Sequence, residues 1–468
     1  MKKNNVTKVL SLVLSAMLLT GVCTSCNKST NDKDEQGRTM ISIGGYPSTE
    51  GTNKDNWDAR WQKFEQDNTD VVITPDQWTF DLKSFYTKAA GGQLPTLFGT
   101  HFTEIKQCIE AEYVADITDT LNARGYEGKF NEKIVDLISQ DGKIYAFPIN
   151  AYVLGMGYNT EMFEKAGLME ADGTPKQPKD WDEVVEFAKK IKEATGKAGF
   201  VFPTANNNGG WMFTCLAWSF GADFMEQDAD GKWKATFNSP EAVAALQWIK
   251  DLKWKHDVIP SNTLIDGTEY YKVFATGNAG MLMAAGDYTR KLTQYGMVPD
   301  QVGMMALPAG PKRHVTLLGG SIFSVSAEAT EDQKDAAIRW LETSYNYNAT
   351  EDFKTNKQKD MDKKLGENQL IGIKSMSVWN DDVESVVYEN QLIDENTNAN
   401  INHVRLYNEF VNSDVEIQPE EPVCTQELYG VLDGCIQEVL ANKDADCAEL
   451  LEKAVSDFQA NYLDNLDY

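Results

Sequence analysis

The chain has 468 residues, 42% hydrophobic and 25% charged, with 44 basic against 71 acidic side chains and a formal charge of -27. This is the composition of a folded globular protein, long enough for two lobes of ordinary domain size. So acidic a surface excludes recognition of nucleic acid or anionic lipid through charge.

The chain opens with Lys2 and Lys3, an apolar run over residues 9–19, two cysteines (Cys23 and Cys26) among small residues, and a polar stretch over residues 27–36. That order reads as an export signal and not as an element of the fold. The run is shorter than the roughly 20 apolar residues a membrane-spanning helix needs. A cysteine at the cut site resembles the bacterial lipoprotein signal, in which that cysteine carries the lipid and becomes the mature N-terminus. Cys26 is the favoured lipidation site and Cys23 the alternative. Residues 1–25 are then the signal peptide. Residues 26–37 form a flexible tether, because residues 27–36 contain nothing apolar to bury.

Residues 40–46 alternate apolar and polar and end in glycine, which predicts an opening strand and loop. A helix is expected over 56–67, with Trp57, Trp61 and Phe64 on one face, then a strand over 71–74. A helix over 80–90 stops at Gly91-Gly92. A strand over 96–99 and a helix over 104–112 follow. Alternating strands and helices predict an α/β lobe with a largely parallel sheet. Residues 141–148 read as a turn entering a strand, 154–159 as a second strand, and 160–167 as a helix. Asp180 with Glu183 marks the start of a helix running to Thr195. Residues 211–220 are apolar nearly all round and predict a buried helix. Ser239 and Pro240 start the next one. Residues 345–422 are the least regular part, polar and rich in Asn, Asp, Glu and Lys. Helices return over 425–440 and 446–463.

The residues at 145–163 carry a resemblance. Tyr145-Ala146-Phe147-Pro148 followed by Gly157-Tyr158-Asn159-Thr160-Glu161-Met162-Phe163 resembles the extracellular solute-binding proteins of sugar ABC importers, the maltose-binding-protein-like family. Further stretches match in order: Pro178-Lys179-Asp180-Trp181-Asp182-Glu183, Trp218 to Asp223, Phe274 to Met281, Val302 to Pro308, and Gly319 to Val325. The resemblance runs from about Met40 to Tyr468. It departs from the family at Pro95-Thr96, where Pro-Asp is usual, at Asp287-Tyr288, where a Trp is usual, and over the longer segment 345–422.

The resemblance implies an α/β, two-lobed periplasmic-binding-protein fold of type II, with a ligand cleft between the lobes. The expected lobes are 38–150 plus about 309–350, and 151–308 plus about 351–468. The chain would cross between them near Asn150, near Pro308 and over 345–357. It implies no enzyme activity and no cofactor. The expected partners are a carbohydrate ligand, the transmembrane subunits of an ABC permease, and the membrane through the N-terminal lipid. The protein would act as a monomer on the outer face of the cell membrane.

A sugar presents apolar ring faces and a hydroxyl rim, so its site wants flat aromatics with carboxylates, amides and hydroxyls at the edge. Ligands of α/β folds sit at strand ends. The candidates there are Tyr46, Trp78, His101 and Thr103 from the first lobe. Asn150, Tyr152, Trp211, Asp287, Tyr288 and Tyr429 come from the crossover and second lobe. Trp211, after three asparagines and two glycines, is the leading stacking platform. The four histidines form no HExxH and no zinc spacing with cysteine. Asp228-Ala229-Asp230-Gly231 lacks later calcium ligands and reads as a hairpin turn. The five downstream cysteines, Cys108, Cys215, Cys424, Cys435 and Cys447, read as mostly buried free thiols.

Overall fold

The structure is a computed structural model that describes residues 32–466. Cys23 and Cys26 lie outside the described residues. The end of the expected tether folds back on the protein. Asp34 accepts hydrogen bonds from the backbone N–H groups of Gln36 and Arg38. Lys33 pairs with Asp332 at 2.6 Å, at the start of the helix Glu331–Glu342.

The first lobe is built on the parallel strands Thr39–Ile43, Val71–Pro75 and Leu97–Thr100. Their inward residues Ile41, Ile43, Val71, Ile73 and Leu97 are all buried. Two long strands then tie the molecule together. Phe147–Asn159 and Val315–Val325 pair antiparallel from Phe147↔Phe323 to Val153↔Leu318, with a register shift at Ser321/Ile322. One end of Val315–Val325 pairs with Leu97–Thr100 in the first lobe. The far half of Phe147–Asn159 carries Met281–Ala285 and Val302–Met305 on its two edges in the second. Residues 153–159 are all buried, as a strand covered on both faces should be. The strand expected to follow the turn within 141–148 and the second strand expected at 154–159 are thus one thirteen-residue strand.

Asn150 and Ala151 lie opposite Ser321 and Gly320 on the two long strands, beside the register shift. Residues 309–318 bind the second lobe. Ala309 N–H donates to Lys179 O, Arg313 N–H to Ser219 O, and the Thr316 hydroxyl to Leu154 O at 2.9 Å.

Helix starts follow their sequence signals closely. The Asp180 side chain accepts from Glu183 N–H, and Ser239 from Ala242 N–H. Residues 228–231 form the expected turn, joining the hairpin Met225–Gln227 and Trp233–Ala235. The polar region holds three helices, Glu351–Gly366, Glu384–Asn396 and Asn402–Val411. The first two share a small core of Met361, Ile371 and Leu392, apart from the main one. The expected lobe boundary at 351 is corrected by the packing of Trp379. Its ring stacks on Phe130 of the first lobe at 4.8 Å and lies 5.9 Å from Phe147. Asn131 N–H donates to Val378 O alongside. The chain rejoins the second lobe at Asn402–Val411, where Tyr407 donates to Val153 O. Among the described residues no helix is long and apolar enough to cross a membrane. Cys108, Cys215, Cys435 and Cys447 are buried free thiols.

Candidate functional site

Tyr46, Trp78 and His101 stand just past the C-terminal ends of the three parallel strands of the first lobe. The backbone locks their loops together. Gly45 N–H donates to Trp78 O and Tyr46 N–H to Asp76 O, both at 2.8 Å. The Tyr46 hydroxyl donates to Asp58, and its ring meets Trp57 edge-on at 4.9 Å. Trp78 donates its indole N–H to Ser84 Oγ at 3.0 Å. Phe80 lies between Trp78 and His101, 6.3 Å from one ring and 6.0 Å from the other. His101 is exposed, with Nδ1 3.3 Å from Glu104 Oε2. Glu104 first, with Glu420 behind it, raises the His101 pKa against the opposing effect of burial.

At the crossing strands Asn150 is exposed opposite Ser321, and Tyr152 lies opposite Gly319. A Cβ at residue 319 would stand 2.2 Å from Tyr152 Cζ, so only glycine lets the ring lie across the neighbouring strand. Burial, reinforced by the Glu420 and Asp287 carboxylates, pushes the Tyr152 phenol up to about 12.

In the second lobe the Tyr429 hydroxyl donates to Glu420 Oε1 at 2.8 Å. Tyr429 lies in the helix Thr425–Ala441, which packs on the helix Asn208–Phe220 carrying Trp211 in its first turn. Asp433 fixes that turn. Its two carboxylate oxygens accept from Asn207 N–H and Gly210 N–H, each at 2.7 Å. Asn206 and Asn207 take left-handed backbone conformations, as the polar run before Trp211 allows. Trp211 itself is half-buried against the core. Asp287 is exposed beside Arg290.

Glu420 ties these groups into one constellation. It bonds Tyr429 from the second lobe, while burial raises its pKa. Thr103 and His101 from the first lobe stabilise its charge, and Glu104 opposes it. Tyr152 feels it from the strand floor. The structure therefore brings His101, Thr103, Tyr152 and Tyr429 together around Glu420. Tyr46 and Trp78 stand beside them along the strand ends. Tyr288 is not part of this surface. It is 1% exposed, its ring packs on Gly157, and its hydroxyl donates to Gly303 O at 2.8 Å. Sequence reasoning missed Glu104, Glu420 and Asp433. Glu420 sits in Pro419-Glu420-Glu421-Pro422, whose only signal is an extended, helix-free link. Among the described residues no group of three or more His, Cys, Asp or Glu side chains could hold a metal ion.

A two-lobed α/β molecule, crossed by two long strands with aromatic and carboxylate side chains gathered where they cross, has the architecture of a substrate-binding protein. Solved neighbours share it. The cyclic α-maltosyl-1,6-maltose binding protein of Arthrobacter globiformis superposes with a TM-score of 0.60 at 22% identity, over 91% of this chain and 99% of that one. UgpB of Mycobacterium tuberculosis, in complex with glycerophosphocholine, superposes with a TM-score of 0.58 at 16% identity, over 91% and 98%. The chain belongs to the bacterial extracellular solute-binding protein family, whose sequence model matches residues 49–347. The lactose-binding protein of Rhizobium radiobacter is 27% identical over 237 residues, 49% of this chain and 51% of that one. The chain spans only 43% of the length of curated binding-protein relatives from Brucella abortus and Brucella suis.

Proposed function

We propose that this protein is the carbohydrate-capturing component of an ABC sugar importer. It binds a mono- or oligosaccharide in the cleft and passes it to the transmembrane subunits of a permease. The single observation that carries this reading is the gathering around Glu420 of groups from both lobes and from a crossing strand: His101 and Thr103, Tyr429, and Tyr152. A solute touching both lobes favours the closed state by its differential affinity. Aromatic faces and carboxylate, amide and hydroxyl edges suit a sugar, and binding needs no bond to be broken. The ligand-contacting set is Tyr46, Trp78, His101, Thr103, Asn150, Tyr152, Trp211, Asp287 and Tyr429. Tyr288 is left out because its hydroxyl is already spent on Gly303 O.

The protein acts as a monomer, held on the outer face of the cell membrane by lipid on Cys26. Two or more acyl chains, each contributing ~0.8 kcal/mol per buried CH₂, hold such a protein stably. Mass spectrometry of the mature N-terminus distinguishes Cys26 from Cys23. The function is tested by screening mono- and oligosaccharides against the soluble mature protein for thermal stabilisation and for cleavage. Stabilisation without cleavage supports the reading. Turnover would make the protein a surface glycoside hydrolase, and stabilisation by peptides alone would make it a binder of another solute.

A further inference from the structure

The second lobe carries one more aromatic ring beside the cleft, on a helix and not at a strand end. The strand Met281–Ala285 runs toward the crossing: Met281 pairs with Tyr158, and Ala285 with Leu154, two residues on from Tyr152. Gly286 comes next. A Cβ there would stand 3.3 Å from the Tyr407 hydroxyl, which itself donates to Val153 O at 2.9 Å. Asp287 therefore leaves the strand beside the cleft floor. The helix Gly267–Ala275 is fastened to the same strand by the Tyr270 hydroxyl, which donates to Met283 O at 2.5 Å. Its first residue abuts the helix that carries Trp211. A Cβ at residue 267 would stand 2.6 Å from Asn208 Oδ1, at the start of that helix. Tyr271 lies four residues on, on the same helix face as Gly267. It stands between the helix of Trp211 and the turn of Asp287.

Tyr271 is half-buried. Burial, reinforced by Asp287 and then Tyr152, holds its phenol above the usual value, in keeping with that placement. The Lys291 Nζ stands 4.6 Å from the centroid of the ring. Lys291 is exposed, and among the described residues it forms no ion pair and no hydrogen bond, whereas its neighbour Arg290 pairs with Asp287. One face of the ring is thus covered by a solvent-exposed ammonium on a flexible stem, a weak contact that gives way readily. The same face suits a pyranose, whose C–H groups, like the ammonium, turn partial positive charge toward the negative face of the ring. Ammonium and sugar cannot both lie there.

We propose that Tyr271 is a further sugar-stacking residue of the second lobe, and that Lys291 competes with the sugar for its ring and so sets the affinity. The inference rests on the carbohydrate-binding reading above and adds to it a contact and a competitor. The pyranose stacks on Tyr271 as the lobes close, and the Lys291 stem swings into solvent, where its charge is fully hydrated.

The test is calorimetry on the mature protein with neutral probes: glucose, galactose, xylose, arabinose, maltose, lactose and cellobiose. For the sugar the parent binds most tightly, Tyr271→Ala is expected to weaken binding at least about tenfold. Tyr271→Phe should stay within about threefold of the parent, because the ring is kept. Lys291→Ala should tighten binding about two- to fivefold, the strength of an exposed contact between a cation and an aromatic ring. That gain should vanish when Lys291→Ala is combined with Tyr271→Ala. A folded Tyr271→Ala variant that loses less than about tenfold, or a Tyr271→Phe variant that loses more than about threefold, overturns the proposal. So does a Lys291→Ala variant that binds no more tightly than the parent, or a gain that persists without the ring. If Tyr271→Ala fails to fold, Tyr271→Phe and Lys291→Ala still decide. In each of these cases the parent binds sugar, and the carbohydrate reading stands. If the parent binds no sugar of the set, both fall.

Discussion

The ring of Tyr152 lies across the α-carbon of Gly319, its directly paired residue on the other crossing strand. That contact places a half-buried phenol at the floor of the cleft and makes the strand crossing intolerant of any side chain at 319. Gly319→Ala puts a methyl group 2.2 Å from Cζ. The expected cost is about 1–3 kcal/mol of overpacking, measured by urea denaturation. Combining it with Tyr152→Ala should recover much of that loss, because the clashing ring is gone. Additive losses in the double variant would show that the two residues do not meet.

Glu421 makes the stability of the protein depend on pH in a definite direction. Burial pushes its carboxyl up from 4.5 to about 7, against the hydrogen bond from Trp218 Nε1. A group whose folded pKa exceeds its unfolded value contributes fully at low pH, and that contribution is lost as pH rises through the folded pKa. The contribution therefore declines from about pH 4.5 and is gone above about pH 7, for a total of roughly 3 kcal/mol. Glu421→Gln can still accept the indole N–H. The difference in unfolding free energy between variant and parent should move in favour of the variant from pH 4.5 to 8. A pH-independent difference would show that Glu421 ionises as freely as in the unfolded chain.

Asp433 should matter to ligand binding without touching the ligand. It supplies the cap for the helix that presents Trp211, since Asn207 at that helix start makes no capping bond of its own. Asp433→Ala should cost about 1–2 kcal/mol of stability and weaken sugar binding through a loosened first turn. Asp433→Asn should cost less, because one amide oxygen remains to accept. Equal losses from both substitutions would show that burial of charge, and not capping, dominates there.

Trp211→Ala should leave the fold intact, because the side chain is only half-buried. It should weaken sugar binding at least tenfold by calorimetry, an effect of about 1.4 kcal/mol. Unchanged affinity in a variant with the parent's melting temperature would remove Trp211 from the site.

The strands and helices of both lobes were legible because their signals are local. Alternation marked Thr39–Ile43, and the Asp180 and Ser239 caps marked two helix starts. The helices at Glu351–Gly366 and Glu384–Asn396 were not legible. Their apolar faces are too narrow, with Met361 the one buried residue of the first. Of the candidate site residues, Tyr288 shows the limit of reasoning from strand ends. Its place after Met281–Ala285 suggested the cleft, but the bare backbone of Gly157 drew its ring into the core.

The sequence by itself determined the family, through ordered motifs that each record a local turn, cap or strand end. It also determined the acidic surface and the arrangement of basic, apolar and polar residues before Cys26. Only the tertiary structure decided where the lobes join and what lies between them. Gly319 faces Tyr152 through strand pairing over a long sequence separation, and Trp379 returns to Phe130 by stacking. Glu420 meets both lobes because a link with no secondary structure passes between them. Such contacts follow from register and packing, which no local pattern encodes.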